Sequence, residues 1–185
     1  TITEKIDGFR NMLLMFPTKG VCYAIGNNHP GGLLKFPCNG SDSVVILDTE
    51  FYLGKYYAFD IIKRTTNTHH LPFTQRVSHI ESLVNSGDYP FLLQKHYCEL
   101  TAETYPTQIR EFYAAMLNQA YDIDGLIIST KSTNYFSTKQ YKWKPVMTID
   151  FVAKLCPQIM LGISPFTKKK GKDLYILFSG VKNTD

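Results

Sequence analysis

Only two stretches of this 185-residue chain carry apolar residues at helical spacing. Most of its other apolar residues fall into short runs bounded by Gly, Pro, Asn or Asp, the pattern of strands. The first helical stretch, residues 73–86, sets Val77, Ile80, Leu83 and Val84 on one stripe and stops at Gly87. The second, residues 106–120, opens on Pro106 and carries Ile109, Phe112, Tyr113, Met116 and Leu117. Strands are predicted over residues 9–16 and 21–25, forming a hairpin around Pro17-Thr18-Lys19-Gly20. Two more cover 44–48 and 55–62, with Gly54 at the turn, and others cover 91–98, 125–129, 140–144, 148–154 and 173–180. Residues 27–43, rich in Gly, Pro and Asn, read as loop or short edge strand, and residues 167–172 as a solvated basic turn. Many strands with two helices between them make an α+β fold with mixed or antiparallel sheets.

Aromatic residues make up 14% of the chain, which speaks against disorder and suits sheet packing or a site that stacks flat rings. The net charge of +4 is compatible with an anionic partner such as a nucleotide or RNA. Cys22, Cys38, Cys98 and Cys156 are widely spaced with no CxxC pair, so they read as reduced thiols of an intracellular protein rather than zinc ligands. No run of about 18 apolar residues is present, so no membrane span is expected. The five histidines show no ligand spacing, and His69 and His70, being adjacent, are assigned to a loop. A first residue other than Met suggests a fragment of a longer chain.

Five short segments hold residues suited to chemistry. In Glu4-Lys5-Ile6-Asp7-Gly8-Phe9-Arg10, Lys5 is a candidate nucleophile. A lysine attacks only as the neutral amine, and neighbouring cations or burial favour that form. Gly8 permits a tight approach, and Arg10 suits a ribose or phosphate. Asp48-Thr49-Glu50 ends a strand with acids suited to a sugar hydroxyl or a metal. In Tyr57-Ala58-Phe59-Asp60, alternation puts the two rings on one face, where one can stack on a base. Asp124-Gly125-Leu126-Ile127 presents an acid at a strand edge and Ile127 as an apolar wall. In Lys142-Trp143-Lys144-Pro145, alternation sends both ammonium groups to one face, suiting an α-phosphate. Alone, each segment also reads as a charged turn, a packed aromatic pair or a solvated strand face.

Their order is more telling than any one of them. KxDGxR, DxE, aromatic-x-FD, DGLI and KWKP each occur once, in that order and at spacings that resemble the covalent nucleotidyltransferase superfamily of DNA ligases, RNA ligases and mRNA capping enzymes. The resemblance covers residues 1 to about 154. KWKP followed by Thr148-Ile149-Asp150-Phe151, together with Leu93-Gln94-Lys95-His96-Tyr97, looks like the guanylyltransferases of capping enzymes, and the compact spacing with the ending Leu174 to Gly180 resembles those of large DNA viruses or cytoplasmic plasmids. The resemblance implies a nucleotidyltransferase (ATP-grasp-like) α+β domain over residues 1–185, a fragment lacking the C-terminal OB-fold domain. It implies that Lys5 takes GMP from GTP as a lysyl-GMP intermediate and passes it to the 5′-diphosphate end of RNA. It further implies nucleotide contacts from Arg10, Glu50, Phe59, Lys95, Ile127, Lys142 and Lys144. Mg²⁺ or Mn²⁺ would be held by Glu50, Asp124 and Asp150. Implied partners are GTP, the RNA end and adjoining capping domains or a subunit, in a viral cytoplasmic factory or the nucleus. Thr49, where the family usually has glycine, and Phe9, in a slot commonly small or polar, depart from the pattern. The alternatives are the adenylylation core of an ATP-dependent ligase and a catalytically silent nucleotide- or RNA-binding module.

Overall fold

A computed structural model describes residues 1–18, 20–26, 33–40 and 44–145, together with the backbone of two strands, Phe151–Leu155 and Tyr175–Ser179. The chain divides into two compact units, Thr1–Pro145 and Val146–Asp185. Asp150, Cys156, the basic run at 167–172 and His29 lie outside the described residues. In the second unit, the two strands pair antiparallel, Phe151 opposite Ser179 and Leu155 opposite Tyr175.

Among its described residues the first unit holds two sheets and two α-helices, an α+β arrangement. In chain order its strands are β1 Ile2–Ile6, β2 Phe9–Thr18, β3 Val21–Gly26, β4 Leu33–Pro37, β5 Val45–Tyr52, β6 Lys55–Arg64, β7 Thr66–Asn67, β8 Leu92–Gln94, β9 Tyr97–Cys98, β10 Ile123–Ser129 and β11 Gln140–Trp143. Helix α1 spans Phe73–Asn85 and α2 spans Tyr105–Met116. The larger sheet runs β4-β3-β2-β5-β6-β7, with β8 added parallel to β6. The smaller runs β11-β10-β1-β9, all antiparallel.

Alternation explains the larger sheet. Leu13 and Met15 of β2 and Val45 and Leu47 of β5 point to one face and are fully buried. They meet Ile80 and Leu83 from the apolar stripe of α1, with Tyr56, Phe91 and Leu92. Arg10, Asp48 and Glu50 belong to the opposite face, and there the site is built. Gly54 and Gly87 turn the chain with φ of +80° and +72°, as their places in the sequence suggest.

Two local readings change, and a third is borne out. Glu4 and Lys5 lie in a strand, β1, rather than in a charged turn. The strand expected over 91–98 splits at Lys95 and His96, so that β8 joins the larger sheet and β9 the smaller. Residues 33–37, the short edge strand foreseen within 27–43, pair with β3.

Buried polar groups tie the elements together. Arg76, in the first turns of α1, is wholly buried and grips Asp60 of β6 through Nε–Oδ1 (2.7 Å) and Nη2–Oδ2 (3.0 Å). It also donates to the Thr133 carbonyl (2.9 Å) and Thr138 Oγ1 (3.2 Å), fixing the connection between β10 and β11. Burial pushes the Asp60 carboxyl above its ordinary range even though Arg76 pulls the other way.

Candidate functional site

Register brings the charged residues together. Because β1 and β10 run antiparallel, with Glu4 opposite Leu126 and Ile6 opposite Ile123, Lys5 lies alongside Asp124 and Gly125. Strand β11 pairs Trp143 with Leu126, so Lys144 follows at the same end. Three neighbouring strands thus deliver Lys5, Asp124 and Lys144 in a row. Lys5 Nζ lies 2.7 Å from Asp124 Oδ2, and Lys144 Nζ lies 2.6 Å from the same oxygen. The two ammonium groups are therefore neighbours. Hydrogen bonds from Lys144 and then Lys5 hold the Asp124 carboxyl below its ordinary range. Gly125, at φ +127°, lets β11 come this close, since a Cβ there would run into the Trp143 carbonyl oxygen.

The larger sheet supplies the other half. Arg10 of β2 is directly opposite Glu50 of β5. Gly8 lets the chain press against that corner, because an added Cβ would fall 2.9 Å from Glu50 Cγ. In β6 one extra residue, Phe59, stands between the pairs Asp48–Asp60 and Thr49–Ala58. Such a bulge re-aims its side chain. Lys95, just past β8, continues the pairing through its backbone N–H to the Ala58 carbonyl (3.0 Å). Its ammonium lies 4.7 Å from the Phe59 ring centre and 3.6 Å from Glu50 Oε2. Lys95 is 2% exposed. Burial drives its pKa down, against the opposing pull of Glu50 and Glu4, and burial also drives the Glu50 carboxyl up, against Lys95. Both shifts favour the uncharged forms, as desolvation of a pair at 3.6 Å requires.

Arg10 is engaged by Asp48 through Nε–Oδ1 (3.0 Å) and Nη2–Oδ2 (2.6 Å), a two-point ion pair that holds the guanidinium firmly protonated. Tyr135 Oη donates to the same carboxylate at 2.9 Å. Arg10 also lies 5.7 Å from the Phe59 ring centre.

Six of the residues picked from the sequence therefore fall into two adjoining groups: Lys5, Asp124 and Lys144; and Glu50, Phe59 and Lys95. Arg10 borders the second. Ile127 lies between Thr3 and Lys142 in the register of the smaller sheet. Lys142 is exposed and forms no ion pair among the described residues, unlike Lys144. The intervening Trp143 points to the other face and packs edge-on against Tyr113 of α2, as alternation requires.

Glu4 received no role from the sequence. It is wholly buried, and it accepts from the His96 backbone N–H (3.1 Å), Tyr121 Oη (2.8 Å) and Thr3 Oγ1 (3.1 Å). These bonds anchor β1 immediately before Lys5. The signal was present: Ile2, Glu4 and Ile6 share one face by alternation, and an acid inside an apolar stripe needs partners. Asp48 and Tyr135 were not linked to Arg10 because Asp48 lies 38 positions from Arg10 and Tyr135 a further 87 from Asp48.

Among the described residues no three His, Cys, Asp or Glu side chains converge as a ready-made metal cage. The carboxylates suit an ion that arrives with a polyphosphate, which keeps most of its ligands from phosphate and water. Asp124 uses only Oδ2 for its lysines, and a carboxylate offers about four lone-pair positions.

The shared carboxylate has a measurable pH signature. A carboxyl whose folded value is depressed contributes stability above its unfolded value, ordinarily 3.8, and loses it as pH falls through the folded value. Asp124 is about a third exposed, so the contribution is at most about 1 kcal/mol. Thermal melting across acidic pH is expected to show this decline, with Asp124→Asn flattening the slope. An unchanged slope would mean the contacts do not persist in solution.

No protein-family model matches the chain, and no curated protein sequence matches it either.

Proposed function

We propose that the chain is the nucleotidyltransferase domain of an mRNA guanylyltransferase. One observation carries this reading: Lys5 and Lys144, 139 positions apart, share one oxygen of Asp124. An amine beside a second fixed cation and a carboxylate is what transfer of a nucleotidyl group to lysine needs.

In this reading Lys5, having released its proton to solvent, attacks the α-phosphorus of GTP as the free amine. The N–P bond forms as the bond to the bridging oxygen breaks, and pyrophosphate departs. Lys144 places its charge on the α-phosphate, where negative charge grows. A terminal oxygen of the RNA diphosphate then attacks the same phosphorus. The P–N bond breaks, its electrons stay on nitrogen, and Lys5 takes up a proton to return as the amine. Glu50 is set to accept from ribose hydroxyls, and Lys95 to donate to guanine O6, an acceptor that adenine lacks. Lys142 stands ready for the phosphate side, and Phe59 and Ile127 for the two faces of the base. Mg²⁺ or Mn²⁺, held by Asp124 and Glu50, would screen the triphosphate and aid departure of pyrophosphate.

The test is covalent labelling. The chain is incubated separately with labelled GTP and ATP plus magnesium or manganese, then denatured. Label from GTP that survives, mapped to the peptide carrying Lys5, is the expected result. Label from ATP alone would make the domain a ligase core, and bound nucleotide without any adduct would make it a silent binding module.

A further inference from the structure

Beside the Lys95–Phe59 site, and sharing its Phe59 ring, lies a second opening. It is a cavity of about 260 Å³, walled by Phe59, Tyr135 and Phe136, with Arg10, Thr138 and Gln140 around it. Neither Lys5, Lys95, Glu50, Lys144 nor Ile127 lines it, so it shares only Phe59 and Arg10 with the nucleotide site proposed above. Its volume lies below the roughly 300–1,000 Å³ usual for a drug-sized ligand. It suits one flat ring system rather than a whole nucleotide.

The chemistry of the walls narrows the ligand. Phe136 is 79% exposed, yet its ring is braced edge-on by Tyr135 (5.3 Å between centres) and His69 (5.7 Å). Tyr135 is itself fixed by its hydroxyl on Asp48. A solvent-facing ring held still is a stacking surface with little ordering cost left. Of the polar groups, Thr138 Oγ1 is committed to the Asn134 carbonyl (2.7 Å) and Arg76 (3.2 Å). The Gln140 amide makes no hydrogen bond among the described residues, and it offers both a donor and an acceptor, as a base edge demands. The two carboxylates beside the cavity, Asp48 and Asp60, are each gripped at two points by an arginine, so they present no uncompensated charge to repel a polyanion.

We propose that this cavity seats the first base of the acceptor RNA against Phe59 and Phe136, with Gln140 on its edge. The proposal rests on the guanylyltransferase reading and adds to it where the acceptor end lies. Arg10, at the rim and opposite Glu50 in register, then stands between the seated base and the GMP awaiting transfer.

The test uses a short diphosphate-ended RNA with 2-aminopurine as its first nucleotide, titrated into the chain. Stacking quenches this base. Quenching is expected when the probe base is first and absent when it is third. Phe136→Ala is expected to weaken the quenching titration about tenfold, within the range that loss of one base–aromatic stack produces. Gln140→Ala is expected to weaken it less, and both variants should take GMP from GTP as the parent does. Equal quenching in parent and Phe136→Ala, or at either probe position, overturns the proposal. So does a Phe136→Ala chain that needs about tenfold more GTP to form its adduct, because guanine itself would then occupy the cavity. Position-dependent quenching in a chain that forms no adduct overturns the capping reading and leaves the base pocket standing.

Discussion

Lys5→Arg is expected to abolish the GMP adduct completely while leaving the fold and its melting temperature close to those of the parent. Arginine keeps a positive charge facing Asp124, so the electrostatic balance of the row Lys5–Asp124–Lys144 persists. What it removes is the nucleophile, since a guanidinium does not lose its proton in proteins. Loss of structure and loss of chemistry are thereby separated, which Lys5→Ala alone would not achieve. The readouts are intact mass after exposure to GTP and a thermal melt of the same sample. Lys144 is the internal control: a second amine sits on the same carboxylate oxygen, so proximity to Asp124 is not sufficient for attack if the assignment is right. Adduct found in Lys5→Arg on the peptide bearing Lys144 would make the two amines interchangeable and sink the assignment of the nucleophile.

Arg76→Met is expected to destabilise the first unit by about 3–5 kcal/mol, the loss measured when one member of a buried ion pair is removed. The side chains of Arg76 and Asp60 are 0% and 4% exposed, so water screens neither. The variant leaves a buried carboxylate without its counter-charge and frees the Thr133 carbonyl and Thr138. Against a typical stability of about 5–15 kcal/mol this is a large fraction, and denaturant titration will register it as a lowered midpoint. Its pH dependence has a definite sign. Burial already holds the Asp60 carboxyl above 3.8, and removing Arg76 raises it further. Protonation makes the orphaned group cheap to bury, so the gap between variant and parent should narrow as pH falls. Adding Asp60→Leu should recover most of the loss, because paired apolar replacement removes the uncompensated charge. A loss below about 1 kcal/mol at neutral pH would mean that the pair is not buried in solution.

The parts of the fold governed by local periodicity were legible in the sequence. The stripe of α1, the hairpin of β2 and β3 and the turn at Gly54 each follow from spacing within a dozen residues; the stripe of α2 holds as far as Met116, while Leu117 falls past the helix end and is exposed. Where long-range pairing decides, the sequence was silent. Nothing local marks Phe59 as a bulge, because a bulge exists only relative to the partner strand. Lys95 and His96 read as the middle of one strand, but there the chain leaves one sheet for the other. The site shows the same division. Alternation correctly separated Lys144 from Trp143, and the row at Asp124 agrees with the idea of neighbouring cations. The bond from Tyr135 to Asp48 and the grip of Arg76 on Asp60 join positions that no pattern connects. Lys142 shows the opposite limit: it matches a motif and lies two residues before Lys144, yet side-chain geometry gives it no partner among the described residues.

The row of Lys5, Asp124 and Lys144 also bears on synthesis. Its members come from the first strand, the tenth and the residue just after the eleventh, so a ribosome must release nearly all of the first unit before the last of them can dock. Contacts of such sequence separation form late and slowly. Until then Lys5 stands without the neighbours that would arm it. Under the proposed function, nucleotide transfer would begin only once β11 is laid in place, and adduct formation would then report the completed topology of the first unit.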